Sequence, residues 1–267
     1  MSQKMLHDWR APVTPKSLAL WFLSTAAPAP LRAGTLIDRA RIFDIEPAAV
    51  RVALGRLVRE GLADQAERGV YSLGPNAAAL HAKARQWSRV EDGVRPWDGA
   101  WIVVLTHHLG RINRPRLQAG ERALRLTGFV EADTGAWVRP DNLRRDTASL
   151  AGELAGLGLD AQATILAGCV AQSADDARFR ALWSPDLLED GYRFWIGELE
   201  ASQARTARMP VTEAARETFL LGQSVIRAIN SDPLLPADFV DTELRGTLVN
   251  AMVRYNAMAL QHWSKVG

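Results

Sequence analysis

Residues 32–74 read RAGTLIDRARIFDIEPAAVRVALGRLVREGLADQAERGVYSLG, and this stretch decides the fold of the N-terminal part of the chain. Its pattern predicts a helix from Thr35 to about Arg41, a turn with apolar residues at 42–45, and a second helix that begins at Glu46-Pro47. Proline suits the first position of a helix, where its missing N–H costs little. Gly61 follows the last helical residues, as is usual at a helix C-terminus.

The second helix has two different faces. Helical spacing gathers the aliphatic residues on one face: Val50, Ala53, Leu54, Leu57 and Val58. The opposite face is small or basic and consists of Ala48, Val52, Gly55 and Arg59, with Arg51 and Arg56 beside them. Small residues let a helix backbone approach the groove of DNA, and arginine can donate two hydrogen bonds to guanine or hold phosphates. We therefore expect the first face to pack in a core and the second to contact DNA.

Two short strands are predicted after this helix, at 62–64 and 70–73, with the loop Gln65–Gly69 between them. Helix, turn, helix and hairpin in this order are typical of a winged helix-turn-helix, whose second helix can lie in the DNA major groove. Arg68 at the wing tip suits a phosphate or minor-groove contact. Thr35 is near a helix start, where a hydroxyl and backbone N–H groups can hold a phosphate. The predicted DNA-binding residues are Thr35, Arg51, Arg56, Arg59 and Arg68. The alternative is that the unit is a protein-interaction module and that its exposed arginines are only solvated.

The composition limits these interpretations. The chain has 267 residues, a formal net charge of +2 at pH 7 and one cysteine, Cys169. Because so small a net charge gives little bulk attraction for nucleic acid, the DNA-binding hypothesis depends on the local layout. One cysteine excludes a disulfide within the chain and a cysteine-based zinc site, and it fits a reducing cytoplasm. We therefore expect a cytoplasmic protein.

An apolar segment near the N-terminus, Ser17–Ala29, has the composition of a signal-peptide core followed by small residues. However, Asp8 lies in its lead-in, and Leu18, Trp21 and Phe22 form a helical stripe. This stripe favours the first helix of the winged domain over a secretion signal. No later segment is apolar enough to span a bilayer, so no membrane partner is expected.

The rest of the chain completes the prediction of an α+β protein with three domains. A polar helix at about 75–89 links the winged helix-turn-helix domain, residues 1–90, to a central domain at 97–172. The central pattern is strand, helix, strand, strand, helix, strand, as in the ferredoxin-like βαββαβ fold. Its elements are Trp101–Thr106, Pro115–Leu126, Gly128–Ala132, Ala136–Arg139, Asn142–Leu157 and Ala163–Ala171. The C-terminal domain, 174–267, is predicted to be α-helical, with helices at Asp175–Leu182, Pro185–Arg208, Thr212–Asn230 and Thr242–Lys265.

No motif in the sequence points to catalysis. His107 and His108 follow the first central strand, but adjacent residues on a strand point to opposite faces and cannot readily share one metal ion. No glycine-rich phosphate loop follows a strand, and no nucleophile-elbow pattern is present. We therefore expect a protein that is not an enzyme and has no catalytic residues, no metal site and no cofactor.

Four sequence motifs resemble one known family. They are Arg32-Ala33-Gly34, residues 49–62 (AVRVALGRLVREGL), Trp97-Asp98-Gly99-Ala100-Trp101 and Asp232-Pro233-Leu234-Leu235-Pro236. In this order along nearly the whole chain, they resemble the PaaX family of transcriptional repressors of phenylacetate catabolism. The resemblance implies a homodimeric repressor of an aromatic catabolic operon. It also implies release from double-stranded operator DNA by an aryl-acyl-coenzyme A such as phenylacetyl-coenzyme A. The wing is shorter and less basic than in better-known members, as in a paralogue with another operator or effector.

The resemblance transfers no effector-binding residues, so these are predicted from the chemistry of coenzyme A. A site for this ligand needs arginine or lysine near its mouth and an apolar cleft behind. The predicted phosphate contacts are Arg111, Arg114 and Arg116, and the predicted pocket residues are Trp101, Trp183 and Trp195. Two alternatives remain open. One is a regulator of the same architecture that answers to an unrelated metabolite, and the other is a dimeric nucleic-acid-processing protein built on the ferredoxin-like domain.

Overall fold

The computed structural model describes residues 13–77, 85–110 and 113–266. The chain has a mixed α+β fold, as predicted, and divides into two compact units. The first unit joins the N-terminal part of the chain, up to Ser88, with Trp195–Ile226 and the part from Val249 onward. The second unit comprises Arg89–Phe194 and Arg227–Leu248. Residues 174–267, which the sequence assigns to a separate helical domain, therefore contribute to both units.

Three helices and a three-stranded sheet form the N-terminal part of the first unit. They are α1 (Pro15–Ala26), β1 (Leu31–Arg32), α2 (Ala33–Arg41), α3 (Pro47–Arg59), β2 (Ala63–Glu67) and β3 (Val70–Leu73). The strands are antiparallel in the order β1-β3-β2. The predicted helices and hairpin are confirmed, but β1, with two residues, is too short to have a pattern that predicts it. The hairpin loop expected at Gln65–Gly69 is wrong, because β2 extends to Glu67 and leaves only a turn at Arg68-Gly69.

A four-stranded antiparallel sheet is the centre of the second unit. Its strands are β4 (Trp101–Leu105), β5 (Val130–Asp133), β6 (Ala136–Pro140) and β7 (Thr164–Cys169), in the order β5-β6-β4-β7. Helix α4 (Arg114–Leu126) connects β4 to β5, and helix α5 (Thr147–Gly156) connects β6 to β7. A 3₁₀ helix, Arg85–Gly93, precedes β4. It overlaps the end of the linker helix predicted at 75–89, of which residues 78–84 lie outside the described residues.

Four more helices follow the second sheet in the chain. They are α6 (Ser173–Arg180), α7 (Pro185–Thr206), α8 (Val211–Asn230) and α9 (Thr242–Trp263). Their bounds differ from the predicted ones by no more than about two residues. Across the part of the chain that the structure describes, none of the helices combines the length and the apolar character needed to cross a membrane.

Helix α5 corrects the prediction of a helix over Asn142–Leu157. It begins at Thr147, because the carboxylate of Asp146 accepts a hydrogen bond from the N–H of Ser149 at 2.7 Å and caps the helix there. The side chain of Asn142 is fully buried, and its amide donates to the carbonyl of Leu234 at 2.7 Å. A tertiary hydrogen bond therefore holds the residues before Asp146 outside the helix.

The core of the first unit draws on both ends of the chain. Helix α1 supplies the buried residues Leu18, Ala19, Phe22 and Leu23, and α3 supplies Val50, Ala53, Leu54 and Leu57. From the C-terminal helices, Phe219 of α8 and Trp263 of α9 pack into the same cluster. The ring of Phe22 lies 5.6 Å from that of Phe219 and 5.1 Å from that of Trp263. The apolar segment with the composition of a signal-peptide core is thus part of the folded core.

The sheet of the second unit separates two apolar clusters, because successive side chains of a strand point to opposite faces. Ile102 and Val104 of β4 pack with Leu124, Leu150 and other residues of α4 and α5. Trp101, one position earlier in β4, packs instead with a cluster that includes Val138, Trp183, Leu235 and Val240. The second cluster explains why residues far along the chain belong to this unit.

Candidate nucleic-acid interface

Helix α3 presents the basic surface that its sequence predicts. Every residue assigned to its outward side is exposed: Ala48, Arg51, Val52, Gly55, Arg56 and Arg59. Val52 is an exposed aliphatic side chain, with 56% of its surface accessible. A Cβ built on Gly55 would have no neighbouring atom within 4 Å, so the surface is open at this point. We refer to Arg51, Arg56 and Arg59 below as the basic face.

Two of the acidic residues near α3 are paired with other cations. Glu60 lies 2.5 Å from Lys16, and Asp44 lies 2.7 Å from Arg216. Over the described residues, by contrast, no carboxylate lies within ion-pair distance of the basic face. Within the described part of the chain, the hydrogen bond that its guanidinium groups form is local, from Nε of Arg59 to the carbonyl of Gly55 at 3.3 Å. The basic face is therefore open to an external anion such as a DNA phosphate.

The hairpin turn and the start of α2 lie side by side. Strand β1 pairs with β3, with Arg32 opposite Val70, and the N–H of Ala33 donates to the carbonyl of Gly69 at 2.8 Å. This pairing places exposed Arg68, in the same turn, next to the first turn of α2, where half-buried Thr35 lies. The first N–H groups of a helix lack partners within the helix and attract anions. The turn that carries Arg68 therefore lies beside the first turn of α2, to which Thr35 belongs, and the phosphate contacts of both residues stay a prediction.

The end of α3 is held in place by backbone geometry that only particular residues allow. Gly61 has a positive φ of 66°, which favours glycine at a helix C-terminus. The side-chain amide of Asn76 donates to the carbonyl of Glu60 at 2.9 Å. A Cβ on Gly74 would lie 2.4 Å from the carbonyl oxygen of Gly61, so the end of the hairpin approaches α3 too closely for another residue. These contacts fix the hairpin relative to α3.

The turn between α2 and α3 is supported by the C-terminal helices, which the sequence did not predict. The guanidinium of Arg216 in α8 donates to the carbonyl of Ile42 at 3.2 Å and to the carboxylate of Asp44 at 2.7 Å. The ring of Phe43 lies 4.9 Å from that of Phe219 and is stacked on Trp263 at 6.3 Å. Helices α8 and α9 therefore hold the turn that orients α3. Nothing in the local sequence around Phe43 indicates that it packs against Phe219 and Trp263.

The predicted phosphate contacts of an effector have different surroundings in the second unit. Arg111 lies outside the described residues, and Arg114 is exposed at the start of α4. Arg116 forms an ion pair with Asp160 at 3.0 Å. Arg116 and Asp160 line a cleft of about 390 Å³, part of which is open solvent. The other lining residues are Thr106, Leu109, Gly110, Leu117, Gly120, Glu121, Leu124, Trp137 and Leu159. The space inside it that a water molecule can occupy is about 30 Å³, which is far below the range of about 300–1,000 Å³ for ligand pockets.

The predicted pocket tryptophans are packed in cores. Trp101 is fully buried, its ring is stacked on Trp183 at 6.0 Å, and its indole N–H donates to Asp176 at 2.9 Å. The structure therefore brings Trp101 and Trp183 together. Trp195 is also buried, but it belongs to the first unit. A ligand beside Trp101 would have to displace aromatic packing, which includes Phe239 at 6.2 Å.

The second unit contains a buried arginine that the sequence did not indicate. The side chain of Arg139 is 1% exposed, and its guanidinium donates to the carbonyls of Thr127, Pro140 and Pro233 and to the side chain of Asn142. Burial lowers the pKa of Arg139 to about 9. No signal in the sequence separates this arginine from the many exposed ones.

A second polar cluster holds the segment that breaks the C-terminal helices. Arg245 donates to both carboxylate oxygens of Glu91, at 2.7 and 3.0 Å, and lies 3.9 Å from Asp232. The hydroxyl of Tyr192 donates to Asp232 at 2.6 Å. Burial raises the pKa of Asp232. Together with Arg139, these groups fix residues 232–236, which belong to one of the motifs that carry the family resemblance.

The two histidines after β4 do not form a site together. Their rings lie 5.3 Å apart in an edge-on arrangement, and Nε2 of His108 is 2.9 Å from the carbonyl of Gln162. Among residues 13–77, 85–110 and 113–266, no group of three or more histidine, cysteine, aspartate or glutamate side chains is arranged to hold a metal ion.

Comparison with known proteins supports the fold and goes no further. The structure is similar to that of the uncharacterized protein Rv0674 from Mycobacterium tuberculosis, with a TM-score of 0.66 and 23% sequence identity. The similarity covers 95% of this chain and 98% of that one. No protein-family model matches the chain, and no curated protein matches it. At this level of identity the likeness concerns the fold alone.

Proposed function

We propose that this chain is a DNA-binding transcriptional regulator that reads double-stranded DNA with α3. The observation that carries the proposal is the basic face of α3, which is exposed and without carboxylate partners among the described residues. Arginine at such positions donates to phosphates and to guanine in the major groove. Arg68 and Thr35 extend the same surface to the hairpin turn and to the first turn of α2.

The order of elements in each unit supports this proposal. We take helices α1 to α3 and the β2–β3 hairpin, which follow one another in this order, to form a winged helix-turn-helix with α3 as its recognition helix. Strand β1 adds a short third strand to the wing. We take the second unit's sheet, with the order β5-β6-β4-β7 and two connecting helices, to be a ferredoxin-like βαββαβ domain. A fold alone does not define a function, so the proposal depends on the basic face.

The motif resemblance to the PaaX family makes the proposal more specific. We take the chain to be a cytoplasmic homodimer that represses an aromatic (phenylacetate) catabolic operon. A dimer would place two copies of α3 in successive major grooves about 34 Å apart, so its operator would be a palindrome. An aryl-acyl-coenzyme A such as phenylacetyl-coenzyme A would release the DNA by binding one dimer arrangement more tightly than the other.

DNA binding is tested by selecting duplexes from a random pool with the full chain and measuring their affinity by fluorescence anisotropy. The double variant Arg56→Ala with Arg59→Ala is expected to weaken binding about tenfold or more and to lower the slope of log K against log salt by up to about 2. A matched control, Arg208→Ala with Arg254→Ala, removes the same charge from exposed sites of the same unit. Equal losses in the two double variants, or selection of no duplex, would refute the proposal.

The effector is tested on the selected duplex with a panel of coenzyme A thioesters. Phenylacetyl-coenzyme A is expected to weaken operator binding, whereas free phenylacetate and free coenzyme A are not. Arg116→Ala, at the mouth of the cleft, is expected to need a higher thioester concentration for release. Arg122→Ala, an exposed arginine of the same helix, is the control. An affinity for DNA that no thioester changes would remove the effector from the proposal and leave DNA binding in place.

A further inference from the structure

Val52 is an exposed branched aliphatic side chain between the arginines of the basic face. It is 56% exposed on α3, directly after Arg51 and four residues before Arg56. Most exposed aliphatic residues need no explanation. The position of Val52 is different, because the arginines around it are the groups that would draw a DNA duplex against this part of the helix.

Resting on the proposed function, we infer that Val52 is a specificity-determining residue that reads the methyl group of a thymine in the major groove. Arg51 and Arg56 lie on either side of it and bind phosphates. Their role is to position the helix, while Val52 selects the base. In this assignment of roles, Arg51 and Arg56 do not select guanine.

Helical spacing supports the central position of Val52. Residues three and four apart lie on one side of a helix, which places Ala48, Val52, Gly55 and Arg59 in one row. Arg51 and Arg56 fall on opposite sides of this row. Ala48 and Gly55 are too small to shield Val52, and the space at Gly55 is empty to 4 Å. The methyl groups of Val52 are therefore free to reach the floor of a groove that the flanking arginines straddle.

The chemistry of the base edges selects thymine. Among the groups that the four bases present in the major groove, only the C5 methyl of thymine is apolar. Valine has no donor or acceptor in its side chain, so covering a polar base edge with it would leave that edge without a hydrogen bond. The net positive charge of the surroundings favours a nucleic acid over an apolar protein surface as the occupant.

The test removes the methyl group from the DNA and from the protein separately. In the selected duplex, each thymine is replaced in turn by deoxyuridine, which lacks only the C5 methyl. Affinities are measured at one salt concentration for the wild type, for Val52→Ala and for the control Leu260→Ala, whose exposure of 57% on α9 matches that of Val52. For the wild type, deoxyuridine at one thymine of each half-site is expected to lower the affinity about fourfold.

Val52→Ala, which changes both copies of the dimer, is expected to bind the thymine duplex about fourfold more weakly for each half-site and to be insensitive to deoxyuridine at that position. Leu260→Ala should keep the wild-type dependence on the methyl group. If the wild type and Val52→Ala respond equally to every deoxyuridine, or neither responds, the inference about Val52 is wrong while DNA binding stands. If no duplex is bound at all, the proposed function fails first, so the two failures are distinguishable.

Discussion

Phe219 offers the most direct test of how the two ends of the chain combine. Its side chain is 2% exposed, and its ring lies 4.6 Å from Trp21, 4.9 Å from Phe43, 5.6 Å from Phe22 and 6.1 Å from Trp263. Truncation of a buried phenylalanine to alanine costs about 3–5 kcal/mol, and each lost aromatic pair adds to that cost. We therefore expect Phe219→Ala to lower the free energy of unfolding of the first unit by about 4 kcal/mol.

This loss is measured by urea unfolding of the full chain, with circular dichroism as the probe. Phe43→Ala and the double variant complete a mutant cycle, and contact between the rings predicts a coupling energy of about 0.5–1.5 kcal/mol. Leu260→Ala, an exposed aliphatic residue of α9, is the control and should change stability by less than about 0.5 kcal/mol. A loss below about 1 kcal/mol for Phe219→Ala, or no coupling to Phe43→Ala, would show that α8 does not complete the core around α1 and α3.

Three further substitutions test other parts of the structure. Arg245→Met leaves the carboxylates of Glu91 and Asp232 without their cation, so it should lower the free energy of chemical unfolding by about 3–5 kcal/mol. Arg245→Lys keeps the charge but cannot form the two parallel hydrogen bonds of a guanidinium, so it should restore only part of this free energy. Hydrogen bonds from Arg180 and from the indole of Trp101 lower the pKa of Asp176. The ionised carboxylate therefore stabilises the fold at pH values above 3.8, the ordinary pKa of aspartate. This contribution is lost as the pH falls through the lowered pKa. Asp176→Asn should therefore be less stable than the wild type at pH 7, with a difference that narrows below pH 3.8 in thermal unfolding; a constant difference would contradict this cause. The Cβ of Gly55→Ala would meet no atom within 4 Å, so this variant should raise the free energy of unfolding by about 0.5–1 kcal/mol. We expect the same variant to bind DNA more weakly. If stability and DNA affinity both rise, Gly55 does not lie in the interface.

The position and the two faces of α3 could be predicted from the sequence because the signals involved are local. The two faces of α3 follow from a period that lies within residues 47–59, and Gly61 marks where the helix ends. The support from α8 and α9 could not be predicted in this way. Phe219 is more than 170 residues from Phe43 along the chain, and no periodicity in either segment identifies the other as its partner. The same holds for Asn142, where a hydrogen bond to Leu234 overrides a helical pattern.

The net charge of +2 does not measure the local charge that α3 presents to solvent. Glu60 and Asp44, two acidic residues near α3, are already paired with Lys16 and Arg216, which contributes little stability at such exposed positions but cancels their charge locally. The basic face keeps its charge because no carboxylate among the described residues offsets it. Affinity would then come from a few fixed arginine–phosphate contacts per copy, and not from a diffuse positive field. For such an interface, the slope of log K against log salt is proportional to the number of phosphate contacts. A dimer on the full operator should therefore show about twice the slope of a single copy on a half-site duplex.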